Sequence, residues 1–389
     1  MAAFVIAETN ICAISSAFVT IPMVSVLLMG CVMLAGFLFN KNNLRIKTPS
    51  IVAFGLFVLL LLFSMILNGL RVPGERFLYL MTFGLAAMVV ASTNHNIKQV
   101  LRYLIFIYAI HLVVYFLFQR NSFLDSEDFW TAQMGIAYGF VPATIICVII
   151  LLYRKEMVAE GIFGKRRIIH YVFFIIVFLA SGYVFMIDCA TRGAIVVAVV
   201  GIFFIIYRML SHKQKVVFSI AGVALVVFLF LNWNTILSSS LERFAEGNVK
   251  SLVKLSQMTE SGDASNGRED HYKEAYQMIG DNPILGYGVG YFENHTKASY
   301  VHQLFLELML ECGFFGTLLF LIPIIKLIRR TRKEEDDIDY SFKILLLSCC
   351  FLPLMFSASF WLFPPFWYGY FYALNCMSVK RKRLALNTQ

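Results

Sequence analysis

Three groups of residues in this 389-residue chain have the types and spacing to do chemistry. The first is Asp188-Cys-Ala-Thr-Arg192-Gly193, a charged island between two long apolar runs. Ionisable groups at such depth cost several kcal/mol unless they are paired or functional. Asp188 and Arg192 stand at i,i+4 spacing and would form an ordinary ion pair if one helix carried both; otherwise Arg192 is half of an anion clamp. The second group begins at Arg268, in REDHYKEAYQMI, and runs on to DNPILGYGVGYF with Gly286, Gly288 and Gly290 at alternate positions. Alternate glycines let backbone N–H groups approach an anion, but they also mark tight turns, and no strand precedes them to make a dinucleotide site. The third is His302, followed by Gln303 and by Glu307 and Glu311 one turn apart in an apolar run. A histidine titrates near neutrality and suits general-base work, though a single one at a helix start is more often structural than catalytic. Two glutamates in such a run must face the bundle interior, where they orient partners or bond neighbouring helices.

These residues need a scaffold, and the composition says which kind. Hydrophobic residues make up 59% of the chain and charged ones 15%, against roughly a quarter charged in soluble domains. Apolar segments of spanning length lie near 14–39, 51–67, 77–92, 101–118, 134–153, 168–187, 193–207, 216–232, 302–325, 344–360 and 361–379. The expected fold is an all-α polytopic membrane protein of about 11 crossings, or 12 if residues 1–39 form two short helices. Its parts are N-terminal membrane helices over 1–232, a long extracytoplasmic loop over 233–300, C-terminal membrane helices over 301–379 and a basic tail at 380–389. Within the loop, 256–267 reads as flexible, and REDHYKEAYQMI as a helix capped by Asn266 or Gly267 and closed by the Asn-Pro turn.

The net charge of +9 does not signal nucleic acid, because the basic residues sit at the ends of apolar runs. Sorting Lys and Arg by alternate loops places 23 on one side and 10 on the other. The richer side is expected to be cytoplasmic, which puts the long loop and all three groups outside. Six of the eight cysteines (Cys31, Cys147, Cys312, Cys349, Cys350 and Cys376) lie in or beside apolar runs with no CxxC spacing, as small core hydrophobes do. The D-x-D at Asp337 and Asp339 falls in the charged run KEEDDID on the basic side and reads as a solvated loop, so no metal site is expected.

The order of these elements resembles the O-antigen ligase and O-antigen polymerase family. TRGA heads a helix, an arginine opens a loop helix, M-I-x-D-N-P-x-L-G-x-G-x-G-x-F follows, and a histidine leads F-L-E-L-x-L-E-C-G-F-F-G. The likeness spans about residues 188–325, with one departure: Gln303 stands where family members commonly have Asn. The resemblance implies a bundle of the lipid-carrier-dependent (GT-C-like) glycosyltransferase type in the bacterial inner membrane, without cofactor or metal. Its donor would be an undecaprenyl-pyrophosphate-linked oligosaccharide. The acceptor would be another lipid-linked glycan, for a polymerase, or lipid A core, for a ligase, and a chain-length regulator would be a partner of the former. Carried over residue by residue, the pyrophosphate arginines fall on Arg192 and Arg268 and the base on His302. Asp188, Gly286, Gly288, Gln303, Glu307 and Glu311 would support them. A flippase is the reading without covalent chemistry, but the paired broken helices such proteins often carry are not evident.

Overall fold

The computed structural model describes residues 2–7, 10–11, 46–93, 95–121, 129–164, 167–189, 191–231 and 268–376. Short α1 (Ala2–Ile6) is followed by α2 (Thr48–Asn68), α3 (Arg71–Ala91), α4 (Ile97–Gln119), α5 (Phe129–Ala159), α6 (Ile168–Asp188), α7 (Arg192–Met209) and α8 (His212–Leu231). Further along come α9 (Arg268–Asp281) and α10 (Tyr291–His295), within the long loop, and then α11 (Leu304–Arg332), α12 (Asp337–Met355) and α13 (Pro364–Asn375). No strand occurs among the described residues. Eight of these helices are long and apolar enough to cross a bilayer, so the chain is an all-α, multi-pass membrane protein. The apolar run at 14–39, the cap at Asn266 or Gly267 and the segment 256–267 lie outside the described residues.

Two expected spans differ in extent. The run at 302–325 is part of a 29-residue helix, α11, broken at Gly313 (φ 61°, ψ −169°). The run at 361–379 yields only the 12-residue α13, about 18 Å of helix. Pro364 and Pro365 explain this: a residue before proline is driven out of the α region, and Phe363 is extended (φ −113°, ψ 91°). Residues 356–359, between α12 and the short 3-10 turn at Phe360–Leu362 that precedes α13, are also unwound.

Lipid offers no hydrophobic drive between helices, so close packing holds the bundle together. Gly201 of α7 meets Ile145 and Ser348, and Gly369 of α13 meets Cys350, where any larger residue would hold the helices apart. At the centre Phe57, Phe320, Trp361, Phe366 and Trp367 interlock, with Phe57 edge-on to Trp367 at 5.1 Å and Phe320 stacked on Phe366 at 5.6 Å. Such edge-on and offset ring pairs add to the packing. Outward faces carry exposed Leu, Ile and Phe, for example Leu59, Ile66, Leu179 and Leu319, as a lipid-facing surface must.

Contacts sort the connections onto two ends of the bundle. At one end Lys47 donates to the Asn375 carbonyl (3.1 Å), Lys98 pairs with Glu160, and Arg208 pairs with Asp337 (2.9 Å). At the other, Asn68 donates to the carbonyls of Tyr287 and Val289, Arg76 pairs with Glu293, Arg120 pairs with Asp188, and Arg268 and His302 meet the Phe356 and Ser357 carbonyls. This is the partition obtained by sorting basic residues loop by loop.

Candidate active site

Arg192 is the first residue of α7, Arg268 the first of α9, and His302 precedes α11 by two residues. The fold brings these chain-distant positions together. Arg268 donates from a guanidinium nitrogen to the Phe356 carbonyl, and His302 Nδ1 lies 3.1 Å from the Ser357 carbonyl. Arg192 and Arg268 lie within electrostatic reach of each other, and Arg268 acts likewise on His302 and Tyr138. Both main-chain acceptors belong to the unwound strip 356–359. Irregular backbone at membrane depth survives only where it is buried or lines a polar cavity. Here Ser357 and Ser359 line a cavity of about 230 Å³ together with Tyr138, Tyr300, Cys349 and Pro364.

The histidine is held in a specific state. A carbonyl oxygen only accepts, so Nδ1 carries the hydrogen and Nε2 keeps its lone pair. Burial pushes the imidazole pKa down to about 4, opposed by the Ser357 bond and helped by the nearby Arg268 guanidinium. The ring is therefore neutral near pH 7. It packs against the Tyr300 ring at 4.1 Å, whose phenol is itself pushed up, first by burial and then by Glu307. His302 is also the one non-glycine among the described residues with positive φ (61°). That conformation is sparsely populated, and strain of this kind clusters at functional sites.

The predicted supporting residues divide. Gln303 caps α11: its side-chain oxygen accepts from the Leu306 N–H (2.6 Å), which fixes where His302 enters the helix. Glu307 and Glu311 are both buried on the inner face of α11, where Ser359 donates to Glu307 and the Trp361 indole donates to Glu311 (2.8 Å). Gly286 and Gly288 have φ of 71° and 81°, and their turn docks onto the break in α11. Gly313 interrupts the helical ladder, and the Leu310 and Glu311 carbonyls accept from Tyr287 N–H (2.7 Å) and Gly288 N–H (3.0 Å). Val289 N–H goes to Ser64 (2.8 Å). These amides are thus engaged by the protein, and the glycines brace the loop against α2 and α11.

Asp188 does not pair with Arg192 as the i,i+4 spacing suggests. The helix stops at Asp188, so the two residues share no helical face. Asp188 instead binds Arg120 in a two-pronged pair, both bonds 2.8 Å, and accepts from Tyr115 (3.2 Å). Gly193, next to Arg192, is needed because a Cβ there would collide with the Tyr138 hydroxyl.

Sequence reasoning missed Arg76. It is 2% exposed, donates to Ser359 (3.2 Å) and to Glu293 (2.5 Å), and so ties α10 to the strip that receives Arg268 and His302. In the sequence it counts only as one of the basic residues on the less basic side. Tyr138, Tyr300 and Ser357 were missed too; the run Ser-Ala-Ser before Phe-Trp-Leu-Phe-Pro-Pro was the available signal for an unwound strip. Among the described residues no group of three or more His, Cys, Asp or Glu side chains is placed to hold a metal ion. Asp337 and Asp339 sit at the opposite end, Asp337 on Arg208 and the Asp339 N–H on Asp336.

Residues 175–321 match the family model described as O-antigen ligase. No curated protein and no solved structure matches the chain. The matched segment holds Arg192, Arg268, His302, the alternate glycines and both buried glutamates, whereas Arg76, Tyr138 and the strip at 356–359 lie outside it. Over that segment, which is less than half of its length, the chain is similar to the O-antigen ligase family.

Proposed function

We propose that the chain is a surface-polysaccharide polymerase, an inverting and metal-independent glycosyltransferase. It joins undecaprenyl-pyrophosphate-linked repeat units on the outer face of the bacterial inner membrane. The observation that carries this reading is the convergence of two guanidinium groups and one neutral imidazole beside a membrane-depth cavity. Arg192 and Arg268 neutralise the diphosphate, for which planar guanidinium forks are well shaped. His302 Nε2 accepts the proton of the acceptor hydroxyl as its oxygen attacks the anomeric carbon. The bond from that carbon to the phosphate oxygen breaks, and its electron pair leaves with the diphosphate. The proton then passes from His302 to solvent.

The description of the matching family favours a second reading, a ligase that transfers the glycan to lipid A core. The two differ only in acceptor. Purified protein supplied with a lipid-linked repeat unit, with and without lipid A core, separates them when products are resolved by length and anchor. A polymerase gives a ladder without the core, and a ligase gives only core-linked product. His302→Ala is expected to abolish both products, and Arg192→Ala or Arg268→Ala to weaken donor use strongly. Inhibition by EDTA that a divalent ion reverses contradicts the arginine mechanism, as does full activity of His302→Ala.

A further inference from the structure

At the end of the bundle opposite the active site, α11 carries a surface cavity of about 530 Å³ lined by Ile322, Ile325, Lys326, Arg329, Arg330 and Lys333. Four cations and two isoleucines make it, and no carboxylate lines it. Of the acidic residues that follow, Glu334 pairs with Lys343, Asp337 with Arg208, and Asp336 accepts from the Asp339 N–H. Lys326 donates to the Leu374 carbonyl (2.6 Å), which anchors one wall. The helix is also graded along its axis. Leu318, Ile322 and Ile325, at spacings of four and three, are 47%, 55% and 44% exposed, and the same face continues into Arg329 and Lys333.

We propose that this surface binds an anionic glycerophospholipid. The acyl chain lies along Leu318, Ile322 and Ile325, and the phosphate sits over Arg329, Arg330 and Lys333. The polarity order matches the lipid, hydrocarbon first and charge at the interface, and basic pockets beside membrane helices hold such headgroups. The chain's own tail is a poor occupant, because the sequence continues beyond Asn375 with Lys380, Arg381, Lys382 and Arg383 and brings only like charge. The inference is independent of glycosyl transfer.

Native mass spectrometry of the full-length protein in detergent, titrated with phosphatidylglycerol or phosphatidylcholine, tests it. Three basic side chains predict that the anionic lipid is retained about a hundredfold more tightly. Arg329→Gln/Arg330→Gln/Lys333→Gln is expected to abolish the preference while elution and circular dichroism stay unchanged. Equal retention of the two lipids by the unaltered protein overturns the proposal, whether or not the triple variant folds. So does displacement of phosphatidylglycerol by millimolar inorganic phosphate, or retention of a polyprenyl phosphate in its place.

Discussion

Replacing Arg76 by methionine keeps the length of the side chain and removes the charge. Arg76 and Glu293 are 3% and 10% exposed in their side chains, so water does little to replace the lost bond. The substitution strands the Glu293 carboxylate, takes one donor from Ser359, and withdraws the one cation bonded at the buried end of this network, where one Glu307 oxygen already has no hydrogen-bond partner. Removing one member of a buried pair costs about 3–5 kcal/mol, most of it the penalty of the charge left behind. Arg76→Met/Glu293→Gln removes both charges, so the double variant should recover part of the loss, with a coupling of about 2 kcal/mol or more. Unfolding in mixed micelles, followed by the fluorescence of buried Trp361 and Trp367, measures each corner of the cycle. Because Ser359 belongs to the strip that receives His302, glycosyl transfer should also fall about a hundredfold in the single variant, the cost of misplacing a catalytic group by roughly an ångström. A single variant within about 0.5 kcal/mol of the parent, or additive effects of the two substitutions, would falsify the assignment of Arg76 as the tie between α10 and the strip.

Three further outcomes follow from the same geometry. His302 has its pKa lowered to about 4 from 6.5, so the neutral base persists down to that value, and the acid limb of kcat/KM should fall below about pH 5 instead of near 6.5; a limb at 6.5 removes His302 as the base. Any stability tied to this histidine runs in the same direction: it is complete above about pH 6.5, where folded and unfolded rings are both neutral, and is lost as pH falls towards 4, because the unfolded ring takes up the proton first. Gly313→Ala puts a Cβ into the Ile284 backbone at φ 61°, so it should weaken loop docking by about 1–3 kcal/mol and speed proteolysis between α9 and α11, and unchanged cleavage would argue against the break as a docking point. In double-mutant cycles Asp188→Asn should couple to Arg120→Met and show little coupling to Arg192→Met; the reverse pattern restores the i,i+4 pair that the spacing suggested.

Much of the site was legible because its chemistry sits where composition changes. Arg192, Arg268 and His302 each stand at the edge of an apolar run or loop helix, and charge in such places is visible without a structure. Glu307 and Glu311 were visible as paired acids in an apolar helix, and their inward direction follows from the cost of the alternative. The ion pair between Asp188 and Arg192, one of the two readings of that island, fails because one helix ends at Asp188 and the next begins at Arg192. Arg76 was missed because its partners, Glu293 and Ser359, are 217 and 283 residues away, and no local pattern encodes such a meeting. The partition of loops onto two ends was legible from basic residues alone. The shortness of α13 was signalled by its paired prolines, but hydropathy masks such a signal because the residues flanking the prolines, Phe360 to Phe363 and Phe366 to Trp367, are themselves apolar.

The bonds that seat Arg268 and His302 both terminate on peptide oxygens, those of Phe356 and Ser357. Truncating either of those side chains leaves the oxygen in place, so a scan by alanine would record positions 356 and 357 as tolerant of the loss while their backbone does the holding. Only alterations to the amide linkage itself, an ester replacement or a proline that re-angles the chain, would uncover that dependence. The evolutionary corollary is that positions 356 and 357 are free to vary in letters so long as the path of the backbone stays the same, whereas Ser359 is held by its own hydroxyl.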